Sequence, residues 1–173
     1  PDFDIPDYIK EAAVNAINEN YHKYSPVDGY LDLKKAICKK FKRDNNLDYN
    51  TDQIVVSTGA KQSIANVCMS LINKGDEVVI PTPYWVSYSA MVSLADGIPV
   101  FVHPDENANY KVTAAQLESA ITDKTKMVML NSPNNPSGSV FTKEEYLEFS
   151  KVLMKYPKVI VVSDEIYEHI NYG

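Results

Sequence analysis

The sequence predicts an α/β fold, a mostly parallel sheet with helices on both faces. Two observations carry this. Short continuous apolar runs recur along the chain, "EVVI", "IPVFV", "MVML" and "VIVV", and stretches with helical spacing separate them. Runs without polar alternation suit strands covered on both sides, and strands divided by helices pair in parallel through crossovers.

The elements follow in order. Residues Asp7 to Asn20 and Leu31 to Arg43 read as helices joined by "YHKYSPVDGY", whose Pro26 and Gly29 mark a loop or a boundary. "IVVS", Ile54 to Ser57, is expected to be the first strand. Ile64, Val67, Cys68, Leu71 and Ile72 keep helical spacing, and "NKGD" stops that helix before "EVVI". "YWVSYSAMVSLA" then reads as helix, "IPVFV" as strand, Thr113 to Ile121 as helix and Met127 to Leu130 as strand. Thr142-Lys143-Glu144-Glu145 forms a capping box, in which the hydroxyl and the carboxylate satisfy free amides at the start of a helix running to about Lys155. The last strand is Val159 to Val162.

Composition narrows the function. The 173 residues are 45% apolar, enough for a real core, and carry seventeen basic against twenty-three acidic side chains, a formal charge of -6. With no basic run, neither nucleic acid nor an anionic membrane is the expected partner. Lys39-Lys40 and Lys42-Arg43 cluster as the solvated face of a helix. No apolar stretch is long enough to span a bilayer, and "PDFDIPDYIK" lacks the features of a signal peptide, so the cytoplasm is the expected location. Cys38 and Cys68 sit in helical patterns without metal-ligand spacing, and His22, His103 and His169 are scattered, so no metal is expected.

Ligands on such sheets collect beyond the carboxyl ends of the strands, and four of those ends carry informative residues. After "IVVS", Thr58-Gly59-Ala60-Lys61-Gln62 opens a helix, either as an anion cradle of free backbone amides or as a tight turn needing one glycine. It fits neither the Walker loop nor the dinucleotide fingerprint. After "EVVI" comes Trp85, the only tryptophan, a core residue or a platform for a flat ring. After "MVML", "NSPNNPSG" offers the Asn135 amide at a turn fixed by Pro136. After "VIVV", Asp164 leaves a strand expected to be buried on both faces; it is either a helix N-cap or an acid with a cationic partner, and Tyr167 lies one i,i+3 step on. Together these groups suit a phosphorylated aromatic heterocycle with a basic ring nitrogen.

In order and spacing, "KYSPVDG", "STGAKQ", "PTPYWVSY", "NSPNNPSG" and "SDEIYEHI" resemble the class I and II aminotransferases, pyridoxal-phosphate enzymes of fold type I, and most of all the bacterial aspartate aminotransferase subgroup. The resemblance implies that Gly59, Ala60 and Lys61 give backbone contacts to the cofactor phosphate and that Trp85 stacks on the pyridine ring. It gives Asn135 and Tyr167 to the ring hydroxyl oxygen, Asp164 to the pyridine nitrogen, and Trp85 and Asn135 to the substrate. Tyr24 would reach the phosphate of a neighbouring subunit, making a homodimer that acts on an amino acid and a 2-oxo acid. Residues 1–28 would be an N-terminal segment at the edge of the small domain, and 29–173 part of the cofactor-binding large domain. Asn135-Pro136 and Thr82-Pro83 are expected to be cis.

The resemblance also implies absences. The family's Schiff-base lysine follows Asp164, and only Glu165 to Gly173, without a lysine, follow it here. The substrate arginines and two further strands, which would lie between Ile54–Ser57 and the rest of the sheet, are absent as well. The sequence therefore reads as a piece of a longer enzyme with an incomplete three-layer large domain, inactive alone. A lyase or synthase of the same fold and a non-catalytic cofactor-binding module are the alternatives.

Overall fold

The computed structural model describes residues 4–170. These form two compact units, one ending at Ser57 and one beginning at Thr58.

The first unit holds α1 (Asp7–Asn18), α2 (Leu31–Asn45) and a short 3-10 turn (Thr51–Gln53). Helix α1 buries none of its residues. The loop before α2 is fixed instead by an ion pair between the Asp28 carboxylate and Lys34, whose side chain is buried. Gly29 at φ +98° passes so close to Val56 that a Cβ would lie 2.6 Å from its Cγ2, so no larger residue fits there.

Ile54 to Ser57, expected as the first strand, makes no ladder. Ile54 is extended (φ −112°, ψ 126°), and the Val56 amide donates to the Asp28 carbonyl at 3.1 Å. A strand is defined by its partner, and this extended segment has none among the described residues.

In the second unit, α3 (Ala60–Leu71) leads to β1 (Glu77–Pro81). Then follow α4 (Ser87–Leu94), β2 (Ile98–Val102), α5 (Ala114–Ser119), β3 (Thr125–Asn131), α6 (Lys143–Leu153) and β4 (Ile160–Asp164). Every strand pairing is parallel, in the order β2-β1-β3-β4. Side chains alternate across this sheet and give it two cores. Val78, Ile80, Met127 and Met129 meet Ile64 and Cys68 of α3 and Tyr88, Met91 and Val92 of α4 on one face. Val79, Val128 and Leu130 meet Leu117 of α5 and Phe149 of α6 on the other. The three layers agree with the sequence.

The burial of β4 does not. Its residues alternate between half-buried and exposed, and Val161 is 44% accessible. Val161, Ser163 and Glu165 instead line an open apolar groove with Phe149, Leu153 and Met154. Strand β4 is one edge of the sheet and β2, with Ile98 and Phe101 exposed, is the other, so apolar runs expected to be covered on both faces are covered there only in part.

The strand order positions the site. From β1 the chain steps outward to β2, then returns past β1 to β3, so the loops leaving β1 and β3 diverge around a crevice at their carboxyl ends. Those loops carry Trp85 and Asn135.

Candidate active site

The first wall is the start of α3. Gly59 has φ +87° and ψ 160°, a conformation open almost only to glycine, and a Cβ there would meet nothing within 4 Å. The Gly59 carbonyl accepts from the Gln62 amide at 3.1 Å, beginning the helical ladder, while the amides before it, Gly59 to Lys61, have no carbonyl one turn back in the helix to donate to. The Gln62 side chain accepts from the Thr58 amide at 2.5 Å and braces the turn. Gly59, Ala60 and Lys61 thus lie on one open, braced helix start.

From there, contacts run on to the ends of the strands. The Lys61 ammonium lies 4.9 Å from the centre of the Trp85 ring. Trp85, half-buried at the edge of the α3/α4 core, meets Tyr88 edge-on with centroids 5.6 Å apart. The Tyr88 hydroxyl donates to Asp164 Oδ2 at 2.5 Å. Asp164 Oδ1 accepts from the Ile166 amide at 3.2 Å. Asp164 is therefore half-buried, and its described partners are a phenol and an amide rather than a cation. It caps the start of a turn; no helix follows among the described residues.

The loop after β3 completes the crevice. Asn134 Nδ2 donates to the Pro83 carbonyl at 3.1 Å and ties the β1 and β3 loops together. Within the loop, Asn134 Oδ1 accepts from the Ser137 amide at 3.1 Å, and the Asn134 carbonyl accepts from the Gly138 amide at 2.8 Å. Asn135 Nδ2 donates to the Tyr167 hydroxyl at 3.3 Å, which joins two predicted site residues thirty-two positions apart. Thr82-Pro83 and Asn135-Pro136 are cis, as expected, and Ser132-Pro133 is cis as well.

Of the predicted residues, Gly59, Ala60, Lys61, Trp85, Asn135, Asp164 and Tyr167 belong to this one crevice system. Tyr24 belongs to the first unit, where it is fully exposed and lines an open pocket with Tyr21, Tyr30 and Lys35.

Two contributors were missed by the sequence reading. Tyr88 is 3% accessible; burial, and then its bond to Asp164, push its phenol well above the ordinary range, so it stays a proton donor. Its signal was the i,i+3 spacing from Trp85 across the turn that opens α4, where the Tyr88 amide donates to the Trp85 carbonyl at 2.9 Å. Asn131, the last residue of β3, bridges β4 and the following loop, and it had been read only as part of a turn. No cluster of three or more His, Cys, Asp or Glu able to hold a metal occurs among the described residues. No helix there is long and apolar enough to cross a membrane.

The parallel sheet with helices on both faces places the chain among the three-layer α/β proteins. Within that class the chain belongs to the aminotransferase class I and II family, whose model matches residues 1–173. It is 55% identical over 172 residues to the probable aspartate/prephenate aminotransferase of Rickettsia felis, covering 99% of this chain and 42% of that protein. The crystal structure of the aspartate aminotransferase from Rhizobium meliloti superposes with a TM-score of 0.97 at 47% identity, covering 100% of this chain and 43% of that one. The aspartate aminotransferase from Thermus thermophilus with maleate gives 0.96 at 38% identity, covering 100% and 45%. The chain spans less than half the length of these relatives.

Proposed function

We propose that this chain supplies most of the cofactor-contacting surface of a pyridoxal-phosphate-dependent aminotransferase. In that reading the enzyme moves an amino group between aspartate, or a similar amino acid, and a 2-oxo acid. The observation that carries the proposal is the convergence of the α3 start beside Gly59 with Trp85, Asn135 and Asp164 at the ends of β1, β3 and β4, through the contacts described above.

The residues present fit such a group. At the start of α3 there is open space above Gly59 and a set of amides suited to a phosphate. Trp85 supplies a flat face for a heteroaromatic ring. Asp164 keeps carboxylate acceptor capacity beyond its two described bonds, enough for one ring N–H.

When bound, the cofactor supplies an electron sink for the bonds around the substrate's α carbon. The chain's residues govern how strong a sink it is. Asp164 holds a proton on the ring nitrogen by charge, and Tyr88, remaining a donor, orients the carboxylate for that task. Asn135 and Tyr167, already bonded to each other, would present an amide and a hydroxyl to the ring oxygen. Tyr24 acts at the phosphate of a second copy in a homodimer, and the enzyme works in the cytoplasm. Residues 1–28 belong to the edge of a small domain and 29–173 to the large one.

Trp85, as the only tryptophan, provides the assay. Pyridoxamine 5'-phosphate lacks the aldehyde that would react with surface lysines, so its titration should quench Trp85 fluorescence saturably. Asp164→Asn should weaken that binding about tenfold, equivalent to about 1.4 kcal/mol. Absence of saturable binding, or equal affinity in the variant, overturns the proposal. In a polypeptide of the relatives' length, aspartate and 2-oxoglutarate should yield a new amino acid; release of ammonia or thiol without one would assign a lyase.

A further inference from the structure

We propose that Asn131 is a positioning residue whose side chain sets the spacing between Asn135 and Asp164; the inference rests on the cofactor reading above, which puts those two groups on one ring.

Asn131 ends β3 and is 7% accessible. Its side-chain amide reaches in two directions. Nδ2 donates to the backbone carbonyl of Asp164 at 2.9 Å, and Oδ1 accepts from the backbone amide of Asn135 at 2.8 Å. The same Asp164 carbonyl also takes the Ser132 amide at 3.3 Å, so the end of β4 is held by two donors from the end of β3. Asn131 and Asp164 are direct partners in the β3/β4 register.

A neutral planar amide can donate to one neighbour and accept from another through atoms about 2.3 Å apart. Aspartate keeps the acceptor and loses the donor; alanine loses both. Chain connectivity alone fixes neither distance, because Asn135 is four residues away along a loop and Asp164 is thirty-three away on another strand. One buried side chain therefore references both groups to the same point of the sheet. Displacements of about 1 Å between groups acting on one reacting centre cost on the order of a hundredfold, so this spacing is worth enforcing.

The test uses the 173-residue chain and three measurements. In amide hydrogen exchange without any ligand, Asn131→Ala should speed exchange of the Asn135 N–H about tenfold or more, while Asn131→Asp leaves it close to wild type. In pyridoxamine 5'-phosphate titrations, Asn131→Ala should bind about tenfold more weakly, with Asn131→Asp also weakened. Inorganic phosphate, which needs only the α3 start, should bind both variants as it binds wild type. Adding Asn135→Ala to Asn131→Ala should cost less than Asn135→Ala costs alone, because the two act through one arrangement.

If Asn131→Ala fails to fold, the isosteric Asn131→Asp supplies the ligand comparison. An equal loss of phosphate binding makes Asn131 merely structural and overturns the inference. If Asn135→Ala and Asp164→Asn weaken pyridoxamine 5'-phosphate binding but the Asn131 variants do not, the positioning role fails and the cofactor reading stands. If wild type binds no pyridoxamine 5'-phosphate, both fail.

Discussion

Replacing Tyr88 by phenylalanine removes one oxygen and tests how Asp164 is held. The ring stays, so the edge contact with Trp85 and the packing in the α3/α4 core are preserved. What is lost is a 2.5 Å hydrogen bond to a carboxylate that has one other described partner, the Ile166 amide. Bonds to charged groups contribute about 1.5–3 kcal/mol. Asp164 is half-buried and water can replace part of the contact, so the expected loss is about 1–2 kcal/mol. Urea unfolding followed by Trp85 fluorescence measures it in the unit that carries both residues, with an unchanged slope showing that the unfolded reference is the same.

The pH dependence gives a second reading of that variant. The folded state raises the Tyr88 proton affinity above that of the unfolded phenol, chiefly by burial. The stabilisation this represents is complete below about pH 10 and is lost as pH climbs toward the higher folded value, by up to about 1.4 kcal/mol per pH unit. Tyr146, also raised by burial, adds a decline of the same sign. Tyr88→Phe should therefore be less stable than wild type at about pH 8, and its alkaline decline should be shallower. A loss under about 0.3 kcal/mol, or an unchanged alkaline slope, would refute the reasoning.

Three further outcomes bear on the cradle and the fold. Gly59→Ala meets no steric obstacle but forces alanine into a glycine-only backbone region. It should cost about 1–3 kcal/mol in urea unfolding or escape by rearranging, in which case inorganic phosphate binding, followed by phosphorus NMR, falls instead. Thr142→Ala removes the hydroxyl that accepts from the Glu145 amide at 3.2 Å and should cost about 1 kcal/mol by the same unfolding assay. Burial opposes the Glu145 charge, yet the Lys111 ammonium at 2.7 Å and the Thr142 amide hold its carboxyl below the ordinary range. Its contribution is present above about pH 4.5 and lost as pH falls through the lower folded value, so Lys111→Met should flatten acid unfolding measured by circular dichroism.

The order of elements was legible because burial imposes a period: continuous apolar runs for β1 and β3, helical spacing for α3 and α6, and a capping box where α6 begins. What failed depended on neighbours distant in the chain. Ile54 to Ser57 has strand composition but no adjacent strand among the described residues, and the outer face of β4 is only partly covered. The candidate site was legible at its rim, since ligands gather where strands end: Trp85, Asn135 and Asp164 stand at the ends of β1, β3 and β4, and Gly59 follows an extended segment at the start of α3. Its supports were not. Tyr88 meets Asp164 across seventy-six residues, and Asn131 bridges two branches only because β3 and β4 pair in one register.

The reversal of direction between β1, β2 and β3 has a consequence for assembly. No contiguous stretch of the chain contains the crevice; its walls meet only after β1, β3 and β4 have aligned. An unfolded chain offers a ligand nothing to grip, so whatever free energy the crevice gives a ligand is added to the resistance of the second unit to unfolding. Occupancy thereby becomes a gauge of completed folding, and a saturating ligand would shift the melting temperature even where no reaction can be followed.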